Sequence, residues 1–382
     1  AITGIASVRS LLEEVNLHVG YRWFIGYGLS EPLPDHSTLS KVMDRLGDTV
    51  FNEVFTRSIV QCRASGLIDG KIVHVDATTI RADLAREGVN TENSADPDAR
   101  FGRFPGNRKE PGYKQHTVVD DSSRVVLAVK VTPANVNDGQ ELTDVLQEAT
   151  EHMGAIPQVV CADSAYASGT NAAACEEQGM ALVSPPPPAR NHHSRGQFPI
   201  EQFRYDETTD VFICPAGKAL VNTGRMSGRK KRFKYRASER DCRGCLLKEQ
   251  CTRGPSRCLS AGEHHAALVR LRFRSQTAAF RSLYQRRSPV IEGIFAEGKQ
   301  WHGLRRAWRR GLVKMRIQCV LIAAVLNLKR LAAWLRDFGG WCPATGVGNT
   351  AVEHLLTILA LMCRDILATT MNYTTHDYVL EK

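Results

Sequence analysis

Lys71-Ile-Val-His-Val-Asp-Ala77 is the stretch on which the fold turns. Ile72, Val73 and Val75 are β-branched and follow an Asp69-Gly70 turn, so the segment reads as a strand that ends on an acid, Asp76. Gln158-Val-Val-Cys-Ala-Asp163 repeats the pattern and ends on Asp163. Between them, Tyr113–Asp120 and Arg124–Thr132 read as a hairpin turning at Asp120-Asp-Ser-Ser123, and Glu141–His152 as a helix. Residues 85–111 are polar and rich in Gly, Pro and Arg, and are expected to be loop. Asn171–Gln178 reads as a short helix and Ala181-Leu-Val-Ser184 as a buried strand before Pro185–Pro188.

Outward from this core, the first 70 residues read as a helical N-terminal domain, with Asp35 or Ser37 as the N-cap of a helix entering from Pro32-Leu-Pro34. The chain opens on Ala1, which suggests a truncated or processed start. Residues 71–188 form the first part of an α/β core and 189–262 a Cys-rich insertion. Residues 263–338 return the core as helices up to Gly339-Gly340, and 339–382 form a tail with one helical segment, Val352–Leu367.

Composition narrows the function. Hydrophobic residues at 43% and charged residues at 24% exclude a wholly disordered chain. No run reaches the ~18 uninterrupted apolar residues of a membrane span, and the longest, Cys319–Leu326, is followed by Lys329 and Arg330. With no secretory signal at the start, the 11 cysteines suit free thiols or a metal site better than a disulfide framework. The net charge of +10 favours a polyanionic partner, nucleic acid first. From Arg272 to Arg316 the chain carries twelve Lys and Arg, and its only acids there are Glu292 and Glu297.

Asp76 and Asp163 lie at strand ends, where α/β sheets open to ligands. Glu292 lies on a predicted helix inside the basic window. Two Asp and one Glu supply the hard oxygen donors of a Mg²⁺ (or Mn²⁺) site for phosphoryl transfer. The ordinary alternative is that an Asp after a strand is a turn or cap residue. On a helix, Glu292, Phe295 and Lys299 share a face, whereas Glu297 points about 140° away from Glu292, so both acids cannot serve one site.

Four cysteines in the insertion, Cys214, Cys242, Cys245 and Cys251, include the compact Cys242-Arg-Gly-Cys245. Four thiolates from a loop-rich region suit a tetrahedral Zn²⁺, or an iron–sulfur cluster. The alternative is free cysteines. Cys258 has no assigned role, and His264 and His265 are spare ligands. The basic stretch Arg225–Arg240, with Phe233 and Tyr235, reads either as a DNA-tracking surface or as a solvated hairpin.

The run Tyr284-Gln-Arg-Arg-Ser-Pro-Val-Ile-Glu-Gly-Ile-Phe-Ala-Glu-Gly-Lys299 resembles the Tyr-Arg-Glu-Lys signature of bacterial insertion-sequence DDE transposases, at Tyr284, Arg287, Glu292 and Lys299. Val73–Ile80 and Val160–Tyr166 are similar to the segments carrying that family's two catalytic Asp. Gly112–Asp120 and Val131–Asp138 resemble its core strands, and His18–Ser40 its N-terminal helices. The resemblance spans residues 5–337. It departs at one point, since four residues rather than three separate Arg287 from Glu292.

The resemblance implies a ribonuclease H-like α/β core and Asp76, Asp163 and Glu292 as metal-binding catalytic residues. Tyr284, Arg287, Lys299, Arg305 and Arg306 would contact DNA. The expected protein is a cytoplasmic, nucleoid-associated homodimer that binds terminal inverted repeats, cleaves DNA and joins it to a target. A remnant that only binds DNA, or a nuclease without strand transfer, are the competing readings.

Overall fold

The computed structural model describes residues 7–84, 95–186, 197–226 and 232–338. Three helices come first: α1 (Val8–Leu17), α2 (Val19–Phe24) and α3 (His36–Ala64). Asp35 is the cap of α3, its Oδ1 accepting from the Ser37 amide at 2.8 Å. Gly47 divides α3 into two helical segments: its φ of 64° and ψ of −169° are non-helical, a conformation that a residue with a side chain would resist.

Four strands follow: β1 (Ile72–Arg81), β2 (Arg100–Phe104), β3 (Arg108–Asp120) and β4 (Val126–Pro133). All pair antiparallel with β3, β1 along one side and β2 and β4 in succession along the other. The Asp120 carboxylate ties the expected β3–β4 turn, accepting from the Ser123 amide at 2.9 Å, and also accepts from the Gly70 amide before β1 at 2.9 Å. The expectation of loop through residue 111 fails for 100–111, which form β2 and the start of β3. Gly106 and Asn107 make the turn, with φ of 78° and 58°. Of the glycines that suggested a loop, Gly106 does turn the chain, while Gly102 serves close packing: a Cβ there would lie 2.6 Å from the Ala134 carbonyl oxygen.

The chain continues through α4 (Leu142–Met153), β5 (Val159–Ala162), α5 (Gly169–Glu177) and β6 (Ala181–Val183), with β5 and β6 parallel. An antiparallel meander followed by a parallel βαβ pair is the mixed α/β, ribonuclease H-like order expected above. The Cys-rich segment then forms β7 (Arg204–Asp206), β8 (Val211–Ile213), β9 (Ala219–Met226), β10 (Arg232–Ala237), α6 (Glu239–Arg243), α7 (Lys248–Cys251) and β11 (Cys258–Gly262). The helices α8 (His265–Ser275), α9 (Ala278–Arg287), α10 (Gly293–Trp301) and α11 (Leu312–Phe338) close the described chain, with a π turn at Ser288–Glu292 between α9 and α10. The expected helix Val352–Leu367 lies outside the described residues.

The chain divides into two compact units. One comprises residues 1–137, 144–157 and 287–382, the other 138–143 and 158–286. In the first, α11 packs on β4 on one side and against α3 on another. Asn327 of α11 is fully buried and pairs with β4, its Oδ1 accepting from the Val126 amide at 2.7 Å and its Nδ2 donating to the Val126 carbonyl at 2.9 Å. The same amide reaches Ser58 Oγ of α3 at 3.2 Å, so one side chain joins three elements. By length and hydropathy α11 meets the criterion for a membrane span, but 61% of that window is buried in protein, as in a core helix.

In the second unit, the β7–β11 segment makes its own antiparallel sheet in the order β11-β10-β9-β8-β7. Phe203, Phe212, Leu220, Tyr235 and Leu259 form its core. The Tyr205 and Tyr235 hydroxyls both donate to Asp210 Oδ1, at 2.8 and 2.7 Å. Tyr235 is therefore a core residue, and Phe233 packs against the same core rather than interleaving with a basic surface.

Candidate active site

Asp76 does not end its strand as expected: β1 runs on to Arg81, and Asp76 lies mid-strand opposite Thr117 of β3. Its Oδ1 accepts from the Ala77 amide at 2.8 Å, which fixes the carboxylate against the strand. Its Oδ2 accepts from Arg287 Nη1 at 2.7 Å, a contact between residues 211 positions apart. Both side chains are largely shielded, Arg287 at 11% and Asp76 at 18% exposure. The other arm of Arg287, Nη2, lies 4.0 Å from Glu292 Oε1. One guanidinium thus spans two of the three expected carboxylates.

The π turn makes this possible. Residues five apart on a regular α-helix point about 140° apart. A π turn closes from i to i+5, so such residues come to the same side. Pro289 lies in this turn and has no N–H to give the carbonyl at position 285, which favours the wider winding. The extra residue between Arg287 and Glu292 is absorbed here, and the spacing that departs from the signature still brings Glu292 to the same guanidinium that binds Asp76.

Glu297 has a different occupation. Lys329 and Arg330 of α11 both donate to its carboxylate, and His302 Nε2 lies 3.9 Å away. Burial opposes its charge, but Arg330 and Lys329 outweigh that and hold the carboxyl below the ordinary glutamate value. Glu297 anchors α10 to α11, whereas Glu292 is 60% exposed. Lys299 follows on α10. Burial and the neighbouring Arg305 lower its pKa, while Asp76 acts in the opposite sense. Arg305 Nε donates to the Lys299 carbonyl at 3.1 Å. Residues 305–307 run alongside the end of β1, with Arg81 N donating to the Arg305 carbonyl at 3.1 Å and Ala307 N to the Arg81 carbonyl at 2.8 Å. The first unit thus gathers Asp76, Arg287, Glu292, Lys299 and Arg305.

Asp163 belongs to the second unit, at the end of β5. Its Oδ1 accepts from the Ala165 amide at 2.9 Å and caps the 3₁₀ turn Ser164–Tyr166. Ser184 Oγ donates to its carbonyl at 2.5 Å. The cap role weighed from sequence is therefore real for one carboxylate oxygen. Tyr284 is on α9 in the same unit, next to Leu283, whose carbonyl accepts from Cys161 Sγ of β5 at 3.8 Å.

The basic window is less bare than its own acids suggest. Among the described residues, at least eight of its twelve cations meet carboxylates within 4.0 Å, most from distant parts of the chain. Arg306 and Arg310 meet Asp83, Arg309 and Lys314 meet Asp44, and Arg316 meets Asp48. Arg274 meets Glu176 and Arg272 meets Glu201. Sequence reading missed these acids, and nothing local to them signals the pairing.

Among the described residues, no group of three or more His, Cys, Asp or Glu side chains closes around an ion. The donors at Asp76 and Glu292 nonetheless suit a hard divalent cation, because both are carboxylates and both already face one positive charge.

No curated protein sequence matches the chain. Among solved structures, the Mos1 transposase paired-end complex with left transposon end is similar at 11% identity. The similarity covers 46% of this chain and 57% of that one, with a TM-score of 0.20, so the chain spans little more than half the length of that protein. Residues 1–45 match the family described as Transposase domain (DUF772). Residues 68–328, more than half of the chain, match the family described as Transposase DDE domain, and the chain belongs to it.

Proposed function

We propose that this chain is the DNA transposase of an insertion sequence, binding terminal inverted repeats and catalysing metal-dependent strand cleavage and strand transfer. The observation that carries the reading is the Arg287 guanidinium between Asp76 and Glu292, at 2.7 and 4.0 Å. Family membership adds the reaction class.

In this reading Asp76, Asp163 and Glu292 bind Mg²⁺ or Mn²⁺ as hard oxygen donors. The metal, when bound, supplies activation of the attacking oxygen and charge stabilisation at the leaving oxygen. Arg287 offsets the repulsion between Asp76 and Glu292 when no cation is there. It also supplies a fork suited to a phosphate. The pressure of burial and Arg305 on the Lys299 ammonium is relieved by an approaching anion, so Lys299 and Arg305 hold the DNA backbone beside the carboxylates. Tyr284 and Arg306 add contacts along the strand. The protein acts in the cytoplasm, associated with the nucleoid. A homodimer belongs to the same proposal, supported by the exposed apolar side chains Leu17, Trp23 and Leu29 of the N-terminal helical region.

The test is cleavage of labelled DNA ending in the element's terminal repeats, with Mg²⁺ or Mn²⁺ against EDTA. Metal-dependent nicking at the repeat end followed by joining, both lost in Glu292→Gln, is the expected result. A specific gel shift without cleavage would identify a binding remnant instead. Cleavage without joining would identify a nuclease.

A further inference from the structure

Five of the chain's cysteines lie in the β7–β11 segment, and the structure sorts them. Cys214, Cys242, Cys245 and Cys251 all line one pocket of ≈ 350 Å³, counting its open side. Cys258 does not; it lies on β11, its Sγ against the Leu259 carbonyl at 3.8 Å. His265 is excluded as well, buried against Tyr205 and Phe212. The four pocket cysteines are all free thiols.

The backbone around the first is a tight turn. Cys214 N donates to the Lys218 carbonyl at 2.8 Å and Gly217 N to the Cys214 carbonyl at 2.8 Å. This turn needs Gly217 at φ 75°. It aims the Lys218 amide at Cys214 Sγ, 3.3 Å away. Cys242 is on α6, Cys245 follows the Gly244 that ends it, and Cys251 ends α7. Two short helices and one turn thus bring three chain segments to the pocket.

Charge and packing point the same way. Lys218, Lys248 and Arg257 line the pocket with Asp241 as the single carboxylate, so the wall carries excess positive charge. A divalent cation held by four thiolates is a dianion, which such a wall balances. The core beneath is small, with Phe203, Phe212, Leu220, Tyr235 and Leu259 as its large side chains. A substructure of that size ordinarily requires a staple.

We propose that Cys214, Cys242, Cys245 and Cys251 bind one structural Zn²⁺ that pins α6, α7 and the Cys214 turn to the sheet. The sulfurs ring the pocket without closing on a point. Binding the ion therefore requires the cysteine side chains to turn inward. The four ligands complete a closed tetrahedral set, which marks a structural rather than a catalytic zinc. The inference is independent of the transposase reading.

The experiment is elemental analysis of the full chain purified without added metal, alongside Cys242→Ser/Cys245→Ser, Cys258→Ser and Asp76→Asn. Zinc near one equivalent is expected in the wild type, Cys258→Ser and Asp76→Asn, and loss in the double variant. Should the double variant fail to fold, wild-type chain expressed with Co²⁺ in place of zinc gives the second readout. Four-thiolate coordination then shows intense thiolate-to-cobalt charge-transfer bands with tetrahedral d–d bands. Folded wild type without zinc, zinc retained in the double variant, a cobalt spectrum without thiolate bands, or iron with acid-labile sulfide would overturn the proposal.

Discussion

Glu292 and Glu297 sit five residues apart, and the structure gives them separable jobs. Replacing Glu297 by Gln removes the charge that holds Lys329 and Arg330 while keeping the side chain's size. Hydrogen bonds to charged groups contribute about 1.5–3 kcal/mol, and exposed ion pairs about 0.2–1 kcal/mol. Glu297 lies between these cases, at 17% exposure, with Arg330 at 23% and Lys329 at 46%. The expected loss is about 1–3 kcal/mol, or roughly 2–10 °C in Tm for a unit of about 150–250 residues. The effect depends on pH with a definite sign. The folded-state pKa of Glu297 is depressed, so its contribution is present above the unfolded glutamate value and disappears as pH falls through the folded one. Thermal unfolding should therefore separate Glu297→Gln from wild type at pH 7, with the difference shrinking as the pH falls below the ordinary glutamate value. In contrast, Glu292→Gln should leave Tm nearly unchanged, since Glu292 is 60% exposed with a single partner 4.0 Å away, and should abolish cleavage. A Glu297→Gln variant of full stability but no activity, together with an active and destabilised Glu292→Gln, would refute the assignment.

Asp76→Asn and Asp163→Asn should each abolish cleavage yet shift repeat DNA in a gel as the wild type does; retained cleavage removes that residue from the triad. Asn327→Ala strands the buried Val126 N–H and C=O, each costing about 1–3 kcal/mol. Urea unfolding should register a loss of roughly 2–5 kcal/mol, and a change under about 0.5 kcal/mol would mean that Asn327 does not clamp β4. Twelve phosphate contacts from the basic window would give a slope of log K against log salt near −11. With eight of those cations already paired, the slope should be clearly shallower. A value near −11 would show that the internal pairs open on DNA.

The helix and strand pattern was legible wherever the signal is local. The β-branched run before Asp76 opens β1, though the strand runs on to Arg81 instead of ending at the acid; Asp120-Asp-Ser-Ser123 is a turn and Asp35 is the cap of α3, because each depends on residues only a few positions apart. The stretch 100–111 was not legible. Its Gly and Arg content suits a loop, and only the approach of β2 to Ala134 shows that Gly102 is small for packing. The Glu292 spacing was ambiguous for a related reason: a π turn has no reliable local signature, so one extra residue looked like a mismatch.

By itself, then, the sequence determined the acids, the signature residues, the four cysteines and the α/β order, since these follow from residue type and short-range periodicity. Only the tertiary structure decided that Arg287 meets Asp76, that Glu297 is committed to α11, and that Asp44, Asp48, Asp83 and Glu176 neutralise much of the basic window. It also gathered four cysteines at one pocket and left the fifth outside. Ion pairing and thiol clustering act across a few ångströms of space, whatever the distance along the chain, so they emerge only once the backbone has brought remote residues together.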